Sequence, residues 1–454
     1  MTDSSAADTH ALDGAITPTF FRYLLPSLLG LLAMTSASLV DGLFIGNYVG
    51  VAALAAVNLI VPVMSLLFGI GVMLAIGGAV RGGKYLGEGD SAAASAIFSK
   101  TIIATSIYGL AAITLGMVFE NQIFLALGAT EAIIPAMAEY YRIIMPFLFP
   151  QLLVVVLYFF IRLDGFPGLS SAALGVGALV NFLLDYLFIG VYGWGLTGAA
   201  LATGISQALP LLVMFVYFYK PTRKLRFDFR QCHWGEVFKA AYNGISEFIN
   251  EISGAIITFI CNWMLIQRLG VNGVAAITVI NYLLFIGFMM FFAISDTIQV
   301  MVSQNFGARN AVRIRGFLKT AAATIALLSV VFIVILTSFS ESLISLFVDE
   351  DNSVEMVALA SGFVAYVWPL FLVAGFNMLI SGYLTAIHLP LQSGAVALCR
   401  SLLFPAGFLL LFYFVLADHS FLAALSVAEG LAFGLAFVMF LRHSPAKAIP
   451  APGQ

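Results

Sequence analysis

The 454-residue sequence is 61% hydrophobic and only 9% charged, with a mean hydropathy of +1.04 and a formal net charge of −3. A soluble globular domain carries about 25% charged residues and could not hide this much apolar surface from water. Helices that cross a bilayer can be apolar on every side, because each satisfies its own backbone hydrogen bonds. The composition therefore excludes a soluble protein and predicts an all-α integral membrane protein.

The N-terminal residues 1–17 are polar and lack the basic stretch that opens a secretory leader. No A-x-A-like cleavage site follows the first apolar stretch, so we expect the first membrane helix to be retained. The three cysteines, Cys232, Cys261 and Cys399, have neither metal-binding nor redox spacing. We therefore expect no disulfide framework, no metal centre built on cysteine and no cofactor.

Twelve apolar stretches are each long enough to cross about 30 Å of hydrocarbon. We predict membrane spans near residues 20–46, 53–80, 97–119, 136–161, 169–191, 196–219, 241–267, 274–302, 318–339, 358–386, 393–416 and 421–441. An even number of spans leaves both termini on the same side of the membrane.

Basic residues collect in the cytoplasmic loops of membrane proteins. If the predicted spans alternate, one side receives nearly all of them: Lys84, Lys220, Arg223, Lys224, Arg226, Arg230, Lys239, Arg309, Arg313, Arg315, Lys319, Arg442 and Lys447. We therefore predict a multi-pass protein of the inner cell membrane with both termini in the cytoplasm. The predicted parts are an N-terminal tail (1–17), a first lobe (18–219), a linker (220–240), a second lobe (241–441) and a C-terminal tail (442–454).

The predicted linker contains the longest basic stretch of the chain, KPTRKLRFDFRQCHWGEVFK from Lys220 to Lys239. We interpret this charge as a topology signal that lies beside anionic membrane lipid. Nothing else in the sequence indicates nucleic acid, and we expect no nucleic-acid partner.

An internal repeat relates the two predicted lobes at a single constant offset. It aligns VGVAALAAVN (Val49 to Asn58) with LGVNGVAAIT (Leu269 to Thr278), and it continues without a gap to KYLGEGD (Lys84 to Asp90) and QNFGARN (Gln304 to Asn310). Six spans separate the copies, so both copies have the same orientation. Parallel repeats of this kind are one of the two symmetry plans of secondary transporters, with the substrate path expected between the lobes.

Two acids are predicted at similar depth within the membrane. Asp41 lies 19 residues after Arg22, or about 28 Å along a helix, and Asp185 lies 21 residues after Asp164, or about 31 Å. Asn181 precedes Asp185 by four residues and shares its helix face. Two carboxylates in a low-dielectric site cannot both ionise cheaply, so the pair is suited to carry a proton. The same oxygens, with those of Asn and Thr side chains, could instead hold Na⁺, and the residues leave this choice open.

Other polar residues are expected around these acids or along the substrate path. Thr203 and Asn58 are predicted at a similar depth, and Gln207 and Tyr158 are further candidates for substrate contact. Pro26 interrupts the first span fifteen residues before Asp41 and is a candidate hinge, because proline removes a helix hydrogen bond. The alternative is a proline that a membrane helix simply tolerates.

The two repeats differ at the acidic positions. Asp41 corresponds to Cys261, and the second-lobe counterparts of Asn181 and Asp185 are approximately Phe404 and Phe408. If the acids only bridged helices through hydrogen bonds, both lobes would be expected to need them. The asymmetry therefore favours a specialised function for the first-lobe cluster.

The second lobe has its own ionisable candidates. Glu247 and Glu251 lie one helical turn apart in the seventh span, and we favour a salt bridge with Arg400 over a position along the substrate path. Asp296 and Glu429 are further single candidates.

The segments VDGLFIGNYVGVAALAAVN (Val40 to Asn58), NFLLDYLFIGVYGWGLTGAALATGISQ (Asn181 to Gln207) and SQNFGARN (Ser303 to Asn310) resemble the multidrug and toxic compound extrusion (MATE) family over nearly the whole chain. The resemblance implies two parallel six-helix lobes and export of organic cations or lipophilic drugs in exchange for H⁺ or Na⁺, through inward- and outward-facing V-shaped states. It also implies that Asp41, Asn181 and Asp185 match the family's cation-linked cluster.

One departure from the family pattern concerns the second lobe. Members with a Na⁺ site there carry a glutamate deep in span seven and an aspartate in span ten. The corresponding stretches here are ISGAIITF (Ile252 to Phe259) and LVAGFNMLI (Leu372 to Ile380), and neither contains an acid. The chain is therefore similar to the DNA-damage-inducible-type branch of bacteria and archaea, and we favour H⁺ as the coupling ion.

Two alternatives to a cation-coupled exporter fit the sequence less well. A flippase for lipid-linked precursors, from the same superfamily, would be expected to carry a strongly cationic cavity, whereas the first-lobe spans carry acids. A membrane-embedded enzyme would need a nucleophile and base or a metal set, and no such motif is present. We therefore expect a monomeric transporter, not an enzyme, that contacts small lipophilic or cationic substrates and membrane lipid.

Overall fold

The structure, a computed structural model, describes residues 11–228, 234–345, 353–416 and 419–449. Arg230, Cys232 and the outer ends of both tails lie outside the described residues. Within the described residues every regular element is a helix, and twelve helices are long and apolar enough to cross a membrane. The predicted all-α membrane fold and its number of spans are confirmed.

The chain separates into two compact units, residues 1–248 and 249–454. The first unit holds six of the candidate spans: α1 (Ile16–Val49), α2 (Ala52–Gly87), α3 (Ser91–Val118), α4 (Ile134–Leu163), α5 (Pro167–Val191) and α6 (Gly195–Tyr219). Its centre is α4, the most buried of the twelve spans, which packs against α2, α3, α5 and α6. On its other side, α5 packs along α1.

The predicted linker is hydrogen-bonded to the helices of the first unit. Asp164, in the turn between α4 and α5, accepts hydrogen bonds from the Tyr217 hydroxyl at 2.5 Å, the Lys224 amide at 2.8 Å and the Leu225 amide at 3.3 Å. Leu225 is fully buried. Burial raises the pKa of the Asp164 carboxyl, and these three hydrogen bonds offset part of that effect.

The next stretch of the linker lies along the first turns of α3. The Arg226 amide donates to the Ser95 hydroxyl at 3.1 Å, and the Asp228 amide donates to the Ser99 hydroxyl at 2.8 Å. An extended segment has no ladder of its own, so these side chains satisfy backbone groups that would otherwise be unpaired.

A short helix that begins within the predicted linker, Trp234–Asn243, packs against the end of α2. Glu236 on this helix forms an ion pair with Arg81 and accepts hydrogen bonds from the Tyr85 hydroxyl at 2.9 Å and the Lys239 ammonium at 3.0 Å. Burial opposes ionisation of Glu236, but the hydrogen bonds from Lys239, Tyr85 and Arg81 and the Arg81 charge outweigh it and lower the pKa to about 2. The ionised carboxylate therefore stabilises the attachment of this helix.

Replacing Glu236 by glutamine is expected to lower the free energy of unfolding by about 1–2 kcal/mol at pH 7, allowing for the partial exposure of the pair. A carboxyl whose pKa is lower in the folded state stabilises the fold above its unfolded pKa, and this stabilisation is lost as the pH falls through the folded pKa. The difference between wild type and variant should be complete above about pH 5.5 and less than half as large at pH 3. Thermal unfolding in detergent at several pH values measures it.

Glu88→Gln is the matched control, because Glu88 is exposed and only faces Lys84 at 3.7 Å, one turn away. Its melting temperature should stay close to that of wild type at every pH. A Glu236→Gln variant that melts with the control at pH 7 would contradict the stabilising role of the pair.

The second unit holds the other six candidate spans: α7 (Ile245–Gly270, whose first turn lies in the first unit), α8 (Ala276–Gly307), α9 (Ala311–Ser338), α10 (Val357–Ala386), α11 (Pro390–Val415) and α12 (Ser420–Arg442). Here α10 and α11 both pack against α12, and α9 contacts α10.

The sequence repeat is visible in the backbone of each unit. Gly50 precedes α2 with φ of 116°, and Gly270 precedes α8 with φ of 62°, a left-handed region that favours glycine. Asp90 caps α3 by accepting from the Ala93 amide, and Asn310 caps α9 by accepting from the Arg313 amide. Both pairs of equivalent positions are related by the constant offset of the sequence repeat.

Candidate functional site

The carboxyl groups of Asp41 on α1 and Asp185 on α5 lie within hydrogen-bonding reach of each other. Asp185 is fully buried, and neither of its oxygens accepts a hydrogen bond from any N–H or O–H donor among the described residues. Two carboxylates would only repel each other at this range, whereas a carboxylic acid can donate to a carboxylate. A single proton shared between the two carboxyl groups therefore gives a hydrogen bond in place of this repulsion.

A hydroxyl from a third helix completes the contact with Asp41. Thr203 on α6 donates to the Asp41 carboxylate, with its Oγ1 3.2 Å from both Oδ atoms. Thr203 therefore contacts Asp41 in the structure, and the two residues lie at the same depth, as the sequence predicts.

Tyr140 on α4 is a member of this site that the sequence reasoning missed. It is buried, its hydroxyl lies beside that of Thr203, and it faces both carboxyl groups. Tyr140 is six residues into α4 and Thr203 is eight residues into α6, so the depth comparison applied to Thr203 would also have found Tyr140.

The backbones of α5 and α6 approach closely about two turns before Asp185. A Cβ atom on Gly177 would lie 2.8 Å from the Ser206 carbonyl oxygen, which is too short for any side chain. Asn181 is buried one turn before Asp185, and its amide makes no hydrogen bond among the described residues. Gln207 is half-buried one turn after Thr203. The glycine contact therefore brings polar side chains of both helices to one level.

Both acid-bearing helices widen just past their carboxylate. The π-helical turns span Ile45–Val49 after Asp41 and Tyr186–Val191 after Asp185. Such turns are rare and occur frequently at functional sites, since they disturb the regular i to i−4 ladder.

Two predicted contributors lie apart from this cluster. Asn58 is exposed on α2 and makes no hydrogen bond to the acids. Tyr158 is 18 residues after Tyr140 on the same helix, or about 27 Å away along it. Its hydroxyl instead accepts from the guanidinium of the fully buried Arg162 at 3.3 Å.

Pro26 lies inside α1, and the helix continues through it from Ile16 to Phe44. It is half-buried, fifteen residues before Asp41. Its role as a hinge stays a prediction.

The predicted salt bridge between Arg400 and Glu247 or Glu251 is wrong. Arg400 on α11 pairs with Glu429 on α12, with its Nε 3.0 Å from one carboxylate oxygen. Glu247 is buried in the first unit, whereas Glu251 is half-buried in the second and has no ion pair among the described residues. The physical reason is that α11 packs on α12, which brings these two charges together in mid-membrane.

The oxygen atoms around Asp41 also have the chemistry of a Na⁺ site. The carboxylate and hydroxyl oxygens of Asp41, Asp185 and Thr203 are hard donors of the kind that alkali and alkaline-earth cations prefer, and the amide oxygen of Asn181 lies one turn before Asp185. Among the described residues no cluster of three or more His, Cys, Asp or Glu side chains could hold a metal ion.

Twelve apolar spans in two units, with two facing acids in the spans of the first unit, define a polytopic membrane transporter. The MatE family model matches residues 26–187 and again residues 248–411, more than half of the chain. The chain belongs to the MatE family of transporters and is not an enzyme. The two matches cover the two halves of the sequence repeat.

Curated relatives and solved structures agree with this assignment. The chain is 27% identical to the probable multidrug resistance protein YoeA of Bacillus subtilis over 73% of each chain. It is 24% identical to the FAD transporter of Shewanella oneidensis over 87% of this chain and 88% of the relative. A solved outward-facing multidrug resistance MATE transporter of the MOP superfamily has the same fold, with a TM-score of 0.90 at 20% identity over 99% of each chain.

Proposed function

We propose that this chain is a cation-coupled antiporter that exports organic cations and lipophilic drugs, with H⁺ as the coupling ion. The main support for this proposal is the contact between the Asp41 and Asp185 carboxyl groups. Among the described residues, no N–H or O–H group donates a hydrogen bond to either Asp185 oxygen. A proton between the two acids satisfies both groups, and its removal leaves two buried negative charges side by side. An incoming substrate cation relieves that repulsion as well as a proton does.

Competition between proton and substrate provides the coupling. A ligand shifts a conformational equilibrium only by its different affinity for the two states. If the acids bind either a proton or an organic cation, proton entry from the outside releases the substrate, and proton release to the inside restores the site for the next substrate. Thr203 and Tyr140 supply the hydroxyl groups that line this site.

The MatE relatives favour drug-like substrates, because curated relatives of this chain include a probable multidrug resistance protein. We propose that the protein acts as a monomer in the inner membrane with both termini in the cytoplasm. This orientation places the basic stretch at residues 220–239 beside the anionic cytoplasmic leaflet.

The deciding experiment reconstitutes the protein in liposomes and measures ethidium export under an imposed pH gradient, an imposed Na⁺ gradient, or neither. Under H⁺ coupling, the pH gradient alone drives transport, and replacing Na⁺ by choline changes nothing. Transport that requires the Na⁺ gradient would indicate that Na⁺, rather than H⁺, binds the side-chain oxygens around Asp41. A chain that transports ethidium under neither gradient would contradict the proposed function.

A further inference from the structure

The second unit holds an arginine at the middle of the membrane. Arg400 lies ten residues after the start of α11 at Pro390, or about 15 Å along the helix. It falls within a π-helical turn, Cys399–Leu403, like the turns that follow Asp41 and Asp185 in the first unit. A charge at this depth is expensive and is a functional candidate by default.

The guanidinium of Arg400 is held from one side only. Its Nε lies 3.0 Å from one oxygen of Glu429 and 3.3 Å from the other. Glu429 also accepts a hydrogen bond from the side-chain amide of Asn377 at 2.6 Å, and this amide bonds the Glu429 backbone carbonyl at 3.0 Å. Because Asn377 stabilises the Glu429 carboxylate too, Glu429 does not depend on Arg400 alone.

The other edge of the guanidinium is open. Within the described residues no acceptor is bonded to either Nη nitrogen, and neither nitrogen is fully buried, although the side chain as a whole is only 11% exposed. The group lies over the ring of Phe288, 5.7 Å from its centroid. Contact between a bare guanidinium edge and lipid tails would be costly, so we expect this edge to meet water or a polar ligand.

We propose that Arg400 binds an acidic group, a carboxylate or a phosphate, on an aromatic substrate of this transporter. The inference rests on the proposed export function and deepens it, since it names the residue that would recognise an acidic group on a substrate. The two Nη groups form a planar fork of donors that matches two oxygens of an oxyanion. Phe288 provides an apolar surface beside the fork for the substrate's ring.

Glu429 has a positioning role in this site. Its contact with Nε fixes the direction in which the fork points, and it neutralises the arginine when no substrate is bound. A carboxylate on Nε leaves the Nη edge available, because guanidinium has five donors and Glu429 uses one of them. The site is therefore neutral at rest and still has donors for an incoming oxyanion.

Dyes that differ only in an acidic group test the proposal. Rhodamine 123 is the methyl ester of rhodamine 110, so the pair isolates one carboxylate on a constant ring system. Riboflavin and flavin mononucleotide isolate one phosphate, and the Shewanella relative named as a FAD transporter makes flavins a suitable probe. Binding of each dye to the purified protein in detergent is measured by fluorescence polarisation.

The main variant removes the positive charge of Arg400 and the negative charge of Glu429 together. In Arg400→Gln/Glu429→Gln both charges are removed together, so that neither is left unpaired. We expect the affinity for rhodamine 110 or flavin mononucleotide to fall about tenfold or more, the size of a charge-assisted pair of hydrogen bonds. The affinities for rhodamine 123 and riboflavin should change less than about twofold. Arg400→Lys, which keeps the charge and loses the fork, should give an intermediate loss.

Arg442→Gln is the matched control, since Arg442 is exposed at the end of α12. It should leave all four affinities unchanged. A loss for rhodamine 110 alone assigns a carboxylate site, and a loss for flavin mononucleotide alone assigns a phosphate site.

Three results would overturn the inference: wild type that binds neither acid, a double variant that binds all dyes as wild type does, or an equal loss for the acids and their uncharged counterparts. The last result would assign Arg400 a purely structural role. Failure of the export function itself is seen separately, as absence of ethidium and rhodamine 123 transport by wild-type liposomes under both gradients.

Discussion

Replacing Asp41 by asparagine is expected to reduce export driven by a pH gradient to the level of protein-free liposomes. Asparagine has nearly the same shape as aspartate but cannot release a proton, so the pair with Asp185 loses its exchangeable charge. The fold should persist, because asparagine can still accept from Thr203 and can donate to the bare oxygens of Asp185. Downhill exchange of substrate should therefore continue while gradient-driven export stops.

The measurement compares ethidium efflux from liposomes with a pH gradient and ethidium exchange without one. Asp13→Asn is the matched control, since Asp13 is exposed near the N-terminus, ahead of α1, and forms no ion pair among the described residues. A variant that keeps full pH-driven export would rule out Asp41 as the coupling acid and would direct attention to Glu251 and Glu247.

A double variant adds a further check on the same pair. Residues that act as one unit show strongly non-additive effects. Because pH-driven export is already lost in the single variant, the double variant is compared in downhill exchange: if Asp41 and Asp185 share one proton, Asp41→Asn/Asp185→Asn should exchange ethidium no less than either single variant. Effects that multiplied would indicate two independent sites.

Replacing Glu429 by leucine is expected to destabilise the second unit by about 2–4 kcal/mol, because the partly buried Arg400 would remain within a membrane span without its counter-charge. Replacing both residues, as in Arg400→Met/Glu429→Leu, should recover most of this loss, since neither charge then has to be desolvated. Asn377 keeps one acceptor in the double variant, the backbone carbonyl of residue 429 at 3.0 Å.

Thermal unfolding in detergent measures both effects. The informative comparison is between two melting temperatures: the double variant should melt at a higher temperature than Glu429→Leu. If the single variant melts with wild type, the pair is too hydrated to matter for stability. If the double variant melts below the single, Arg400 has a stabilising partner other than Glu429.

The membrane fold and the depth of its acids could be predicted because one-dimensional quantities determine them. Apolar length sets the number of spans, and the constant rise of an α-helix per residue places Asp41 and Asp185 at one level. The internal repeat is also visible in the positive φ angles of Gly50 and Gly270, because glycine is the residue that adopts a left-handed backbone most easily.

Lateral contacts required the tertiary structure. Depth along a helix does not say which face meets which neighbour, so Asn58 was placed with the acids although it is exposed elsewhere on α2. Tyr140 was missed although its depth was available. The attachment of residues 223–228 to the first unit depends on buried hydroxyl and carboxyl acceptors that no local pattern reveals.

By itself, the sequence determined that this protein is a twelve-span transporter with two acids, Asp41 and Asp185, at one depth in its first half, because hydrophobic length, residue spacing and internal repetition are properties of the chain alone. Only the tertiary structure decided that Arg400 meets Glu429 rather than Glu247 or Glu251. That choice depends on helix packing: α11 lies against α12, and a buried charge must take the partner that packing brings within about 4 Å.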